Sequence, residues 1–304
     1  RALLSVVVLA RAGAVRLDGP LGARASAQGR GARRVAAPSV AEADPTPRVA
    51  LVKFPRTGST LMMNLLADAA CTTKAGRERW AAEVLDRVCG AAASCDARTS
   101  LEAIRSFSNC SGREGCGWSL NLFKHQRTGL RLWTEIVEVM AAQPMTVIFL
   151  TRRDPVAQFV SYAVGTRRKA LLRSAEFRGR FGRTECNAYQ YYRCPREVVD
   201  WVNERTPFEL DLRQMHDEVL VSRRQAKMYA KLESELRDRA LRNLNIVHVT
   251  YEDLHQKESW SKLFGVIGLP AVEAPNMLLT NYSRFVRNWA DVAAYSRLVG
   301  LGDP

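Results

Sequence analysis

From residue 48 onward, short apolar runs alternate with longer stretches in which apolar residues recur every three or four positions. Residues 49–54 form such a run, ending in Pro-Arg-Thr-Gly, and 59–69 has helical spacing, so this region predicts a strand, a tight loop and a helix. A second helical pattern covers 77–88, and a loop carrying the first four close-set cysteines follows it. Residues 118–124 alternate in strand fashion, and 129–143 places Leu132, Ile136, Val139 and Met140 on one helical face. The near-continuous apolar run 145–150 is what a strand buried on both faces of a parallel sheet requires. Pro155 then opens a helix at a first-turn position, where its missing N–H costs nothing.

Residues 177–207 read as a polar, arginine-rich excursion, and 210–242 as a long charged helix that covers the core with one face and meets solvent with the other. A strand at 245–250 follows, then a helix, a Gly-Leu-Pro stop at 268–270 and a final helix at 286–298. Alternating strands and helices predict a single α/β domain over 48–304, a P-loop-like doubly wound parallel sheet flanked by helices.

Composition refines this picture in two places. At 304 residues, with 47% apolar and 25% charged residues, the chain can bury a full core and is not mainly disordered. Its net charge of +14 is uneven, because seven arginines against Asp18 give residues 1–40 a charge of +6 and leave +8 for the rest. A basic domain favours an anionic substrate, nucleic acid or a membrane surface, or is simply a solvated basic surface. The apolar run 2–10 is too short to span a bilayer. Residues 1–47 therefore read as a targeting or stem segment: the tail of a signal peptide or type II signal-anchor, or an organelle transit peptide as in plastids.

Cysteines 89 and 95, 110 and 116, and 186 and 194 fall in close pairs, with Cys71 left over. Their spacing does not suit zinc, and local disulfides formed in an oxidising lumen explain it. Free structural thiols are the alternative.

Two elements carry chemistry. In Pro55-Arg56-Thr57-Gly58-Ser59-Thr60, backbone N–H groups and the hydroxyls of Thr57, Ser59 and Thr60 converge at a helix N-terminus, where an anion is favoured. Gly58 permits close approach, and Arg56 can fork onto phosphate or sulfate oxygens. A plain Ser/Thr-capped helix is the competing reading. The loop lacks the first glycine and the lysine of a Walker A motif, which counts against ATP or GTP chemistry. The second element, Thr151-Arg152-Arg153-Asp154-Pro155, follows the buried strand, where ligands bind in such sheets. Arg153, with Ser161 two turns into the next helix, can grip a second phosphate; a basic loop with Asp154 as N-cap is the plainer reading.

Together these elements resemble the sulfotransferase superfamily that uses 3'-phosphoadenosine 5'-phosphosulfate (PAPS). Tyr251-Glu252-Asp253-Leu254, Phe264 and Gly268-Leu269-Pro270 match its later portion, and the resemblance spans roughly residues 48–290. It implies that the first loop, with Arg56, Thr57, Gly58, Ser59 and Thr60, holds the 5'-phosphosulfate. Arg153 and Ser161 would hold the 3'-phosphate, and Tyr251 would contact the nucleotide. Arginine in the loop looks closer to the lumenal carbohydrate and tyrosylprotein sulfotransferases than to the cytosolic ones, which implies a Golgi or secretory setting.

The reaction needs a base for the acceptor hydroxyl. By resemblance that is Glu78, in Gly76-Arg77-Glu78, with His125 as rival, and Lys124 neutralises charge on the leaving phosphate. The cytosolic Arg-Lys-Gly element is absent, and Arg284 or Arg287 is the candidate substitute. Leu61 stands where cytosolic members stack an aromatic ring on adenine. Residues 177–207, with Tyr189, Tyr191 and Tyr192, are a candidate acceptor lid or a small disulfide-bound subdomain that those tyrosines pack. The expected partners are PAPS and a hydroxyl-bearing acceptor (a glycan, a tyrosine peptide or a small molecule), with no metal and no nucleic acid. A P-loop-type kinase, or a non-catalytic basic protein that binds glycans or nucleic acids, are the alternatives.

Overall fold

The computed structural model describes residues 46–54, 58–80, 83–85, 96–110, 115–122, 131–182, 186, 194–239, 241–270 and 281–300, and the backbone alone at 9–10, 13–14 and 81. Within these the fold is α/β. Strands β1 (Arg48–Lys53), β2 (Trp80–Ala81), β3 (Cys116–Leu120), β4 (Met145–Thr151) and β5 (Leu244–Thr250) form one sheet in the order β2-β3-β1-β4-β5. Every pairing in it is parallel, and β2 contributes only two residues. A separate antiparallel pairing joins Leu9–Ala10 to Gly13–Ala14.

Period-two alternation decides which way each strand residue faces. Val49, Leu51, Ile148, Leu150, Val247 and Val249 point to one side, against α1 (Ser59–Ala70) and the late helix Lys257–Ile267. Ala50, Val52, Val147, Phe149 and Ile246 point to the other, against three further helices. Those are Ala97–Ser108, Trp133–Ala141 and the far half of a 27-residue helix, Leu212–Asp238. The central strands are thus buried on both faces, as the apolar runs require.

In chain order the remaining helices take their labels as follows. After α1 come α2 (Lys74–Arg77), α3 (Ala97–Ser108), α4 (Trp133–Ala141), α5 (Pro155–Leu172) and α6 (Ala175–Phe181). Then come α7 (Arg196–Arg205), α8 (Leu212–Asp238), α9 (Lys257–Ile267) and α10 (Trp289–Leu298). The near half of α8 leaves the sheet: Met215 and Val219 pack with Val156, Phe159, Val160 and Val164 of α5, in a cluster that contains no residue of the sheet. Phe285, Val286 and Val292 close that cluster. Their segment is strapped to residue 208 by Phe208 N–H to Phe285 O at 3.0 Å and Arg287 N–H to Phe208 O at 2.9 Å. Asn288 fastens Leu210 through both its amide groups, each at 2.9 Å.

Three expectations change. The helix expected at 77–88 is interrupted: α2 ends at Arg77, Trp80 and Ala81 pair with β3 as strand β2, and Val84 and Leu85 are helical again. The stretch expected to be a cysteine-bearing loop holds α3, capped by Asp96, whose carboxylate accepts from Thr99 N–H at 2.8 Å. The excursion 177–207 carries α6 and α7, with Phe177, Val198 and Trp201 in a small apolar cluster beside the Cys186–Cys194 disulfide. Tyr189, Tyr191 and Tyr192 lie outside the described residues.

Cys110–Cys116 is also a disulfide, as local pairing of close cysteines would give, and Cys71 is buried outside both bridges. Cys89 and Cys95 lie outside the described residues. Two disulfides fit an oxidising, secretory-type environment. Among the described residues no helix is long and apolar enough to cross a membrane.

Candidate functional site

The chain leaves β1 for β2 on one side and returns to place β4 on the other, so the carboxyl ends of β1 and β4 flank a point where the winding reverses. Both chemistry-bearing elements of the sequence reach this edge. After β1, Gly58 adopts a left-handed conformation (φ 74°) and is the N-cap of α1. Glycine supplies that φ without strain and has no side chain to cap the helix, so the amides of the first turn of α1 meet no capping group from it. Of the other loop residues, Ser59 is buried and Thr60 half-buried; Arg56 and Thr57 lie outside the described residues, as do Lys124 and His125.

Three residues absent from the sequence reading, Lys53, Glu83 and Tyr229, stand at this edge. Lys53, the last residue of β1, is buried, and its Nζ donates to Ser59 Oγ at 2.8 Å and pairs with Glu83 Oε1 at 2.5 Å. Tyr229 of α8 donates its hydroxyl to the Lys53 carbonyl and packs its ring 4.2 Å from Phe54, centroid to centroid. Burial pushes the Tyr229 phenol well up, so it remains a donor.

Glu83 reaches the edge because the chain crosses it there. Trp80 belongs to the apolar cluster on the α1 side, whereas Val84 and Leu85 belong to the cluster on the opposite face. Its side chain is 26% exposed, enough for a ligand to touch it.

Glu78 is placed differently. It is the C-cap of α2 and precedes β2, whose Trp80 pairs with Gly117, itself paired with Val49 at the start of β1. Glu78 therefore sits at the amino edge of the sheet. From Val49 to Phe54 alone the strand rises about 17 Å at ~3.3 Å per residue, which separates Glu78 from the loop.

Beyond β4 the Arg-Arg-Asp loop is held by the Tyr-Glu-Asp segment that follows β5. Glu252 accepts from Arg153 N–H at 3.0 Å and Asp154 N–H at 3.4 Å and pairs with the buried Arg152 at 3.6 Å. Arg152 in turn lies 4.5 Å over the Tyr251 ring, so that ring face meets a guanidinium.

Arg153 pairs with Asp253 through Nη2 and donates Nε and Nη2 to Thr250 Oγ1 at 3.2 and 3.0 Å. Its side chain is half exposed, and among the described residues nothing takes Nη1, which leaves one edge of an oriented fork for an anion. Asp154 caps α5 by accepting from Ala157 N–H at 2.9 Å, so the plainer reading of that residue holds beside the functional one. Burial is the main influence on its carboxyl and leaves it raised, against the pull of the Ala157 amide and Arg152.

Ser161 is half-buried on α5, about 9 Å of helix rise beyond Pro155 at ~1.5 Å per residue. Arg287 and Arg284 are exposed on the strap that packs against α5, and Arg284 lies over the Phe285 ring at 5.4 Å. Among the described residues no three His, Cys, Asp or Glu side chains group as a metal site.

Comparison with family models, with curated proteins and with solved structures returns no match for this chain.

Proposed function

We propose that this chain is a PAPS-dependent sulfotransferase of the lumenal kind, with a P-loop-like core, working in an oxidising secretory compartment. One observation carries the reading: a glycine-capped helix N-terminus after β1 and an oriented, half-open arginine after β4 stand on the same edge of a parallel sheet, flanking its winding reversal. Two anion sites separated by a strand width suit a donor that carries a phosphosulfate at one end of a nucleoside and a phosphate at the other. The strand order β2-β3-β1-β4-β5 and the two disulfides agree with it.

In this reading the α1 amides with Arg56, Thr57 and Thr60 hold the sulfuryl donor, and Gly58 lets it approach the backbone. Arg153, set by Asp253 and Thr250, holds the 3'-phosphate with Ser161. Tyr251 supports the arginine loop through Arg152, and Arg287 is a second cation for the nucleotide from the strap. Lys124 is the group that neutralises the leaving phosphate.

The acceptor hydroxyl attacks sulfur in line, the S–O bond to the nucleotide phosphate breaks, and the acceptor proton passes to a base. Glu83 takes that role in place of Glu78, because Glu83 is at the loop's edge and Glu78 is at the other. Lys53 positions Glu83 and Ser59 together. The acceptor is a glycan, a tyrosine peptide or a small hydroxyl compound.

Thermal denaturation with 3',5'-adenosine bisphosphate tests the reading directly. The nucleotide should raise the midpoint, and no shift at millimolar concentration would sink the proposal. Labelled PAPS offered to glycans, phenols and tyrosine peptides then identifies the acceptor class.

A further inference from the structure

Thr151, the last residue of β4, immediately precedes the arginine loop, and its hydroxyl lies 3.1 Å from Nε2 of His248 on β5. The other ring nitrogen, Nδ1, is 2.7 Å from Oε2 of Glu233 on α8. Glu233 accepts from Nε and Nη2 of Arg237 at 3.1 and 2.6 Å through its second oxygen. Four side chains from two strands and a helix thus make one row from the outer helix to the sheet's carboxyl edge. Glu233 and Arg237 are mostly buried, while the His248 side chain is 36% exposed and open to protons from solvent.

Burial alone would raise the Glu233 carboxyl, but hydrogen bonds from His248 and Arg237, with their charges, outweigh it and hold it below the ordinary value. A carboxylate beside Nδ1 places the proton of the neutral ring on that nitrogen and leaves Nε2 as an acceptor. Thr151 then donates its only hydroxyl hydrogen to Nε2 and turns lone pairs outward. When the ring gains a proton, both nitrogens are donors. Nε2–H now points at Oγ1, and the Thr151 hydrogen is released for another partner.

The geometry points to His248 as a positioning residue that sets the direction of the Thr151 hydroxyl, so that protonating the ring adds one hydrogen-bond donor for an anionic nucleotide at this edge. The nucleotide part rests on the sulfotransferase reading; the direction of the hydroxyl does not. The charged groups round the ring are Glu233 and Arg237 from α8 and, past Thr250 on its own strand, Arg153 and Asp253. Arg152 and Glu252 flank the Thr151 end.

The test has two arms on the full chain. Nitrogen-15 NMR of the histidine ring at pH ~8 should find the proton on Nδ1 and the acceptor at Nε2. Calorimetry with 3',5'-adenosine bisphosphate at pH ~5.5 and ~8 then compares wild type, Thr151→Val and His248→Phe. The nucleotide's own phosphates titrate in this range, so the variants are judged against wild type at each pH. At the lower pH, Thr151→Val should bind roughly threefold to tenfold more weakly than wild type, one net hydrogen bond's worth, whereas His248→Phe, which has no ring nitrogen to hold the Thr151 hydrogen, should stay within about twofold of wild type. At pH ~8 wild type and Thr151→Val should agree within about twofold, and His248→Phe should bind roughly threefold to tenfold more tightly than either.

A proton on Nε2 in the neutral ring, or a Thr151→Val variant that tracks wild type at both values, overturns the inference. Valine fills the space of threonine, so that variant keeps the comparison intact if His248→Phe fails to fold. No binding by wild type at either pH overturns the sulfotransferase reading and the donor's role in it, while the ring tautomer still decides whether His248 directs Thr151.

Discussion

At its amino edge the sheet is closed by an aromatic ring and a disulfide, whereas at its carboxyl edge it ends in charged side chains that pair with one another and stay partly open. On the amino side Trp80 covers Gly117 and donates its indole N–H to Gly115 O at 3.1 Å, beside Cys110–Cys116 and the buried Cys71. On the carboxyl side Lys53 meets Glu83, Arg152 meets Glu252 and Arg153 meets Asp253. Charge pairs at a half-open edge add little net stability, since desolvation offsets much of their attraction. Their arrangement makes sense as a cradle whose cations are oriented before a ligand arrives. One edge is closed by packing, and the other ends in paired charges that stay partly open.

The sharpest way to break this division is to exchange two carboxylates. Glu83→Gln should lower sulfuryl transfer from labelled PAPS roughly 10²–10⁴-fold, the range of a lost general base, and keep 3',5'-adenosine bisphosphate binding. Glu78→Gln should change neither. The reverse pattern would return the base to the amino edge.

Stability should respond at the other edge. A side chain on Gly117 would place its Cβ 2.6 Å from the Trp80 ring and 2.9 Å from the Val49 carbonyl, so Gly117→Leu must push strand or ring aside. The expected cost is ~1–3 kcal/mol by urea denaturation, and unchanged stability would mean that Trp80 does not lie there.

Opening the Cys110–Cys116 bridge by paired serine substitutions closes off a short loop's constraint and should cost about 2 kcal/mol, with nucleotide binding retained. Lost binding at full stability would contradict the separation of the edges.

The smallest effects are in pH. Glu233 is lowered, so it contributes stability that is present above the ordinary carboxylate range and lost as pH falls through its folded value. Asp154 is raised, chiefly by burial, and has the opposite sign: its contribution is present below that range and lost as pH rises. Glu233→Gln should flatten the acid limb of a stability profile. Asp154→Asn keeps the cap and should leave pH 7 stability within about 1 kcal/mol of wild type.

Much of this fold is legible in the sequence because buried parallel strands must be apolar on both faces. The runs that became β1, β4 and β5, and the helix after the first loop, lie where the pattern puts them. Strand β2 is not legible, because its two residues sit between α2 and the helical residues Val84 and Leu85, so the apolar spacing there reads as one helix. The same spacing hides Glu83, whose importance comes from where the chain passes the sheet edge. Lys53 did leave a signal: a lysine closing an otherwise apolar strand needs a partner, and it has two. The carboxylates of Glu252 and Asp253 were legible as a motif, but their bonds to the arginine loop span about 100 residues of sequence and appear only once β5 pairs with β4.

The strap from Phe208 to Val286 has a consequence for how the protein is made. A nascent chain that has emerged to residue 270 already carries every strand of the sheet, yet α5 and the near half of α8 still present Val156, Phe159, Val160 and Met215 without their cover. Phe285, Val286 and Val292 are translated last of that cluster, so the sheet can assemble before the layer beyond its carboxyl edge is sealed. Until α10 leaves the ribosome, the newborn domain offers chaperones the apolar flank that Phe285, Val286 and Val292 later cover.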